Sequence, residues 1–214
     1  MSMWHERWAV KKTTWDLNGP HPLTKSLFQN CASLSPEKAK GRWLIPGCGR
    51  AHDGPYLLEL GAKSVDGRDL VPQAIDEAGR LYGSVANLRL SSGDITQVSY
   101  DDVCAFDCIF DRAMLCALQG QARDNYVNAC AQYLKPGGLF ASLAFASTSQ
   151  PEVGPPFQIT RSEIEVLFGG NWRIECLEER FDGPCDQKIL SEWLLIAQKL
   201  YWVAAAQLRW PVLV

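Results

Sequence analysis

A short apolar run that ends in a glycine-rich turn is the feature that most constrains the fold of this chain. Residues 43–45 (Trp-Leu-Ile) lead directly into residues 46–49 (Pro-Gly-Cys-Gly). This pattern is typical of a buried strand that ends in a tight loop. Asp53 is a plausible N-cap of a following helix, and Gly61 is its stop signal. The sequence therefore predicts a strand, a loop and a helix in succession.

The same alternation continues along the chain. Further strands are predicted over residues 62–69, 86–90, 106–110, 139–145, 172–177 and 189–197. Helices are predicted over residues 23–34, 72–81, 123–134 and 160–168. Lys135-Pro-Gly-Gly138 is a stop-and-turn signal, and Thr160 with Glu163 resembles a capping box. Strands that alternate with helices predict an open, mostly parallel α/β sheet, which binds ligands at the carboxyl ends of its strands.

Composition narrows the class of protein. The chain has 214 residues, of which 47% are hydrophobic and 21% charged, as in a single soluble domain. A formal net charge of −3 gives no indication of an electrostatic nucleic-acid binder. We expect residues 1–22 to form a separate tryptophan-rich segment, residues 23–199 an α/β core, and residues 200–214 a tail without an assigned role.

The cysteines and the termini bear on location. None of the eight cysteines shows C-x₂-C spacing, so we expect no metal site and reduced thiols in a cytoplasmic protein. The N-terminus lacks the apolar core of a signal peptide. The apolar stretch 194–214 contains Lys199, Arg209 and Pro211, which argue against a membrane span. We expect a monomer without nucleic-acid or membrane partners.

Polar residues after the first three strands suggest a nucleoside site. Gly47 and Gly49 allow a ligand to approach the backbone closely. Asp69, at the end of the second strand, is suited to ribose hydroxyls, although it also fits an exposed loop carboxylate. Asp94 can accept from an adenine amine while Ile95 covers the ring. The third glycine of the dinucleotide fingerprint is missing, which argues against a nicotinamide-dependent oxidoreductase.

Several motifs together indicate a family. They are residues 4–8 (Trp-His-Glu-Arg-Trp), 46–49, 111–114 (Asp-Arg-Ala-Met), 154–157 (Gly-Pro-Pro-Phe) and 163–169. With these motifs the chain resembles the class I S-adenosylmethionine-dependent methyltransferases. It is more closely similar to the thiopurine S-methyltransferase family with its thiol and halide relatives, over residues 4–199. Trp15-Asp16 departs from the Phe-His of thiopurine enzymes and is closer to the thiol and halide branch.

The resemblance implies a fold and a set of roles. The fold is a Rossmann-like seven-stranded sheet of order 3-2-1-4-5-7-6, with an antiparallel seventh strand, helices on both faces and an aromatic N-terminal lid. S-adenosylmethionine is the implied cofactor and S-adenosylhomocysteine the product. The implied cofactor-binding residues are Trp4, Trp8 and Trp15 of the lid, Gly47, Cys48 and Gly49 at the methionine part, Asp69 at the ribose, Asp94 and Ile95 at the adenine, and Asp111 beside the cofactor.

Methyl transfer to a small nucleophile, above all a thiol, is the expected reaction. Arg112 and Asp111 are the candidate catalytic residues, because an arginine can bind an anionic acceptor or lower a thiol pKa. A structural salt bridge between these two residues is the alternative for Arg112. Cys48 fits a small residue packing a turn better than a nucleophile, and His21 fits a surface or capping role better than a base.

Two alternatives for the whole protein stay open. One is N-methylation of a small heterocycle in a biosynthetic pathway, and the other is a non-catalytic module that binds S-adenosylmethionine. The sequence does not select the acceptor among thiols, halides, chalcogen species and heterocycle nitrogens.

Overall fold

A computed structural model describes residues 2–30, 39–150, 154–184 and 189–200 of the chain. Its strands are β1 (Arg42–Pro46), β2 (Ser64–Asp69), β3 (Leu88–Ser92), β4 (Phe106–Arg112), β5 (Leu134–Thr148), β6 (Trp172–Arg180) and β7 (Ile189–Lys199). Its α-helices are α1 (Met3–Ala9), α2 (Leu23–Asn30), α3 (Asp53–Glu59), α4 (Pro72–Tyr82), α5 (Met114–Ala117), α6 (Gln121–Tyr133) and α7 (Arg161–Leu167).

The strands of the described residues form one sheet in the order β3-β2-β1-β4-β5-β7-β6. The pairs β1–β2, β2–β3, β1–β4 and β4–β5 are parallel, whereas β7 runs antiparallel to both β5 and β6. The predicted strand order and the predicted antiparallel seventh strand are both confirmed. The order reverses between β1 and β4, so the carboxyl ends of these two strands flank the crevice in which such sheets bind ligands.

Two apolar layers explain the continuous hydrophobic runs of the central strands. Trp43 and Ile45 pack on one face of the sheet, and Leu44 packs on the other. All three side chains are buried because helices cover both faces. The larger layer contains the packed aromatic rings of Phe140, Phe168 and Trp172. Within the described residues, no helix is long and apolar enough to cross a membrane.

Several local predictions need adjustment. Asp53 is the first residue of α3 and His52 precedes it, so the N-cap prediction for Asp53 is wrong. Its carboxylate instead accepts hydrogen bonds from outside the helix. Strand β4 continues to Arg112, two residues beyond the predicted end. The predicted turn after α6 is an irregularity inside β5, where the register against β4 shifts.

Two helix predictions have a clear outcome. The capping box at α7 is confirmed, because Thr160 Oγ1 accepts from Glu163 N at 3.3 Å and Thr160 N donates to Glu163 Oε2 at 2.7 Å. Helix α2 begins at Leu23 as predicted and is described as far as Asn30. The rest of its predicted length, residues 31–34, lies outside the described residues.

Candidate functional site

The loop between β1 and α3 presents bare backbone to the crevice. Gly47 and Gly49 have φ values of 58° and 54°, in the left-handed region that glycine adopts without strain. A Cβ atom on Gly47 would lie 2.3 Å from Met114 Sδ. The loop therefore needs glycine at position 47 for its backbone conformation, and a larger residue would also require the Met114 side chain to move.

Asp69 braces this loop from the end of β2. Its Oδ2 accepts from Gly49 N at 2.9 Å, and its Oδ1 accepts from Val71 N at 2.9 Å. Burial raises the pKa of Asp69 above its ordinary value, although the Val71 and Gly49 amides oppose that shift. The structure thus brings together two residues that the sequence predicts to share a site.

Cys48 lies between the two glycines and is not set up as a nucleophile. Burial raises the pKa of its thiol well above the ordinary value, and the Asp69 charge adds to that effect. A Cβ atom on Gly67 of β2 would lie 3.1 Å from Cys48 Sγ, so the thiol is packed against a strand that leaves room for it. A thiol held in its neutral form is a poor nucleophile, in agreement with a packing role.

The end of β3 carries the two predicted adenine contacts. Gly93 N donates to Asp69 O at 2.9 Å, which keeps this turn beside the end of β2. Asp94 is exposed, and its carboxylate accepts from the amide and the hydroxyl of Thr96 at 2.9 Å and 2.7 Å. Ile95 is buried against the larger core layer.

The tryptophan-rich segment folds over the glycine loop. Trp8 is only 3% exposed and packs with Val71 and Ala74, and Gln73 Nε2 donates to its carbonyl at 3.2 Å. The rings of Trp4 and Trp15 meet edge to face at 5.5 Å, and Trp15 lies 6.4 Å from Trp8. All three predicted lid tryptophans therefore form one aromatic cluster.

Arg50 fastens this segment, and sequence reasoning missed it. Its Nε donates to Glu77 Oε2 at 2.8 Å, its Nη1 contacts Asp16 and Thr13, and its guanidinium lies 4.9 Å from the Trp8 ring centroid. Burial by itself would raise the pKa of Asp16. The hydrogen bond from Arg50 and the other polar contacts of the carboxylate outweigh burial, so the pKa of Asp16 is lowered. The available signal was a lone arginine directly after the glycine loop.

Arg112 stands at the end of β4 and reaches the lid. Its Nη2 donates to the Trp15 carbonyl at 2.8 Å, and its Nη1 lies 3.7 Å from Asp53 Oδ2. The predicted alternative of a salt bridge with Asp111 is wrong, because Asp53 is the carboxylate that faces this guanidinium. Side chains of successive strand residues point to opposite faces of the sheet, so Asp111 and Arg112 point away from each other.

Asp111 is sealed inside the protein. It is 0% exposed, and it accepts from the Tyr126 hydroxyl at 2.6 Å and from the amides of Met114 and Leu115 at 3.1 Å and 3.2 Å. Burial raises its pKa to about 6, although these donors and Ser142 oppose the shift. Asp111 thus fixes the turn from β4 into α5 from below the site.

One pocket brings some of these residues together, whereas the following predicted site residues are not among those that line it: Trp4, Trp8, Asp69, Asp94, Ile95 and Asp111. It lies between the glycine loop, Trp15 and Asp16 of the lid, and the side chains of Asp53 and Arg112. His21, behind Asp53 and 3% exposed, is not a surface residue, but it has the capping role that the sequence also suggests, since its ring accepts from the first amide of α2. Its Nε2 is 3.1 Å from Glu192 Oε1 and its Nδ1 accepts from Leu23 N at 3.2 Å, so both ring nitrogens are engaged.

Comparison with known proteins gives consistent sequence matches. A family model described as thiopurine S-methyltransferase matches residues 1–191. A thiopurine S-methyltransferase of Methylococcus capsulatus is 28% identical over 218 residues, covering 94% of this chain and 96% of its own length. A probable thiol methyltransferase 2 of Arabidopsis thaliana is 29% identical over 169 residues, covering 77% of this chain and 70% of its own.

Solved structures share the fold at lower identity. One comes from work on the conversion of a disulfide bond into a thioacetal group during echinomycin biosynthesis; it has a TM-score of 0.71 and 21% identity and covers 87% of this chain and 85% of its own. An S-adenosylmethionine-dependent methyltransferase of Methanosarcina mazei has a TM-score of 0.67 and 18% identity, with coverage of 85% and 99%. These structures show that the sheet is that of class I methyltransferases.

Proposed function

Because the chain belongs to the thiopurine S-methyltransferase family and is an S-adenosylmethionine-dependent methyltransferase, we propose that it methylates small thiols and that Arg112 stabilises the thiolate. The observation that carries this proposal is the position of Arg112. Its guanidinium lines the pocket at the end of β4, with one donor on the lid carbonyl of Trp15. A fixed positive charge at this position stabilises an acceptor that reacts as an anion.

The residues around the pocket fit S-adenosylmethionine. The bare backbone of Gly47 and Gly49 suits close approach of the methionine portion, with Cys48 packed behind it. The Asp69 carboxylate, at the carboxyl end of β2, suits a ribose diol. We assign Asp94 and Ile95 to the adenine, and the lid tryptophans to the cover of the cofactor.

The protein has to align the reactants and exclude water. When bound, S-adenosylmethionine supplies an activated methyl group on a sulfonium, so the chain does not have to generate the electrophile. Holding the reacting groups in line can contribute ~7–11 kcal/mol to lowering the barrier. The lid over the pocket removes water, which strengthens the field of Arg112 on an acceptor.

Arg112 has the right properties for a thiolate. Two opposite unit charges about 4 Å apart attract by about 4 kcal/mol at an effective dielectric constant of about 20, and this is an upper bound for Arg112 because the Asp53 carboxylate, 3.7 Å from its Nη1, opposes the field. The Arg112 side chain is 17% exposed, so this field is only partly screened by solvent. A thiol beside it therefore ionises at lower pH than in water.

Substitution of Arg112 tests the proposal. We expect Arg112→Ala to lower kcat/KM most at pH values below the pKa of the thiol acceptor, where the arginine's help in ionisation matters most. Arg112→Lys should rescue only partly, since lysine is a point charge without the planar fork. Affinity for S-adenosylhomocysteine, measured by calorimetry, should change little.

A matched control comes from β6. Arg173→Ala removes an exposed arginine far from the pocket and should leave the profile unchanged. If the pH profiles of Arg112→Ala, Arg112→Lys and the parent enzyme coincide, the acceptor reacts in neutral form. That outcome would favour methylation of a heterocycle nitrogen.

A further inference from the structure

Asp53 offers the pocket a carboxylate oxygen that the fold does not use. The side chain is 7% exposed. Its Oδ1 is occupied, because it accepts from His21 N at 2.9 Å and lies 3.4 Å from Thr24 Oγ1. Its Oδ2 makes no hydrogen bond within the described residues and forms an ion pair with Arg112 Nη1 at 3.7 Å. One carboxylate oxygen of Asp53 thus anchors the side chain, and the other faces the guanidinium of Arg112.

The other carboxylates around the site lack this property. Asp16 bonds to Arg50 through Oδ2 and to the Asn18 amide through Oδ1. Asp69 uses one oxygen for each of two backbone amides. Asp111 is fully buried beneath the turn into α5. Among the described residues that line the pocket, Asp53 is the carboxylate with an oxygen that accepts no hydrogen bond and is paired only loosely with Arg112.

We propose that Asp53 accepts the proton of the thiol acceptor while Arg112 stabilises the sulfur anion that remains. The S–H bond breaks, its electron pair stays on sulfur, and the proton binds to Asp53 Oδ2. The proton passes from there to water when the lid opens for product release. This inference rests on the proposed function, since it assigns a second side chain to the same acceptor.

The charges around Asp53 support separate roles for the two side chains, with Asp53 accepting the proton and Arg112 stabilising the sulfur anion. Arg112 and Asp53 together present a wall without net charge, so a neutral thiol can enter with a smaller desolvation penalty than a bare anion. His21 has both of its ring nitrogens engaged, whereas the pocket-lining His52 bonds through Nδ1 to the Tyr82 hydroxyl at 2.8 Å and keeps its Nε2 3.2 Å from Asp16 Oδ1. On α4, burial raises the pKa of Tyr82 and the charges of Asp16 and Asp53 add to the shift, so this phenol stays neutral.

A series of thiols of graded acidity tests the assignment. Asp53→Asn keeps an oxygen that can accept from His21 N and Thr24 Oγ1, but it replaces the free oxygen with an amide that cannot take a proton. General-base assistance is typically worth 10²–10⁴-fold in rate. We therefore expect the ratio of parent to Asp53→Asn kcat/KM to rise at least ~10-fold from thiols that are ionised at the assay pH to alkyl thiols that are not.

Two further variants separate proton transfer from structure. Asp53→Glu retains a carboxylate and should restore part of the dependence on thiol pKa. Thr24→Val removes only a partner of the anchoring oxygen, so any loss should be equal for all thiols. A parent-to-Asp53→Asn ratio that is constant across the series would overturn the role of Asp53. A parent enzyme that methylates no thiol at all would overturn the proposed function instead.

Discussion

Replacement of Asp111 by asparagine should change how the stability of this protein depends on pH. Burial raises the pKa of this carboxyl from 3.8 to about 6 in the folded protein. The folded state therefore holds the Asp111 proton over a pH range in which the unfolded chain has lost it. It follows that the contribution of this group to stability is fully present below about pH 3.8 and is lost as pH rises through about 6.

The size of the effect follows from the shift. A difference of about 2 pKa units corresponds to about 3 kcal/mol in the free energy of unfolding, and about 1 kcal/mol of that falls between about pH 5 and 7. Asparagine does not titrate, so the difference between parent and variant isolates this one group. Asp111→Asn also lowers the free energy of unfolding by an amount that does not vary with pH, because its NH₂ group must face a donor such as the Leu115 amide.

Denaturant unfolding at successive pH values measures this difference. We expect the parent to lose stability relative to Asp111→Asn by about 1 kcal/mol between about pH 5 and 7, whatever the constant offset. Tyr126→Phe removes the shortest hydrogen bond to the carboxylate, so it should move the titration of Asp111 to higher pH. A stability difference between parent and Asp111→Asn that does not vary with pH would refute the raised pKa.

Three other outcomes are expected. Asp69→Ala should weaken S-adenosylhomocysteine binding by ~1–3 kcal/mol in calorimetry, and unchanged affinity would remove Asp69 from the ribose site. Gly47→Ala should lower the free energy of unfolding by ~1–2 kcal/mol through its positive φ, with further loss from its contact with Met114. Gly79→Ala is the control inside α4, where nothing crowds the new methyl group, and it should be neutral or stabilising. Hydrogen exchange of residues 2–22 should slow when cofactor and acceptor bind, and equal protection would make the tryptophans ordinary packing.

The lid shows how contacts across long sequence distances build the site. Arg50 of the glycine loop bonds to Asp16 of the lid and to Glu77 of α4, while Arg112 of β4 holds the Trp15 carbonyl. Each of these contacts joins segments that are at least 27 residues apart. The lid is therefore held by contacts from the glycine loop and from β4, and Arg50, which makes three of these contacts, is the residue whose substitution should affect its closure.

Much of the fold was accessible from local patterns in the sequence. Apolar runs such as residues 43–45 predict buried strands, because only a strand covered on both faces tolerates side chains that are all hydrophobic. The glycines at 47 and 49 predict a loop with positive φ, since other residues adopt that conformation at a cost. The capping box at Thr160 is equally local and is confirmed. The strand order came from the resemblance to the family.

The partners of charged side chains were not accessible in the same way. Arg112 and Asp111 are adjacent in sequence, yet alternation along β4 sends one to the pocket and the other into the core. The carboxylate that faces Arg112 is Asp53, 59 positions earlier, which the sequence suggested only as a helix cap. Local pattern determines which residues are buried in strands and turns. Only the packing of β1, β4 and the lid decides which charges meet, because that choice depends on strand order and on side-chain direction across the crevice.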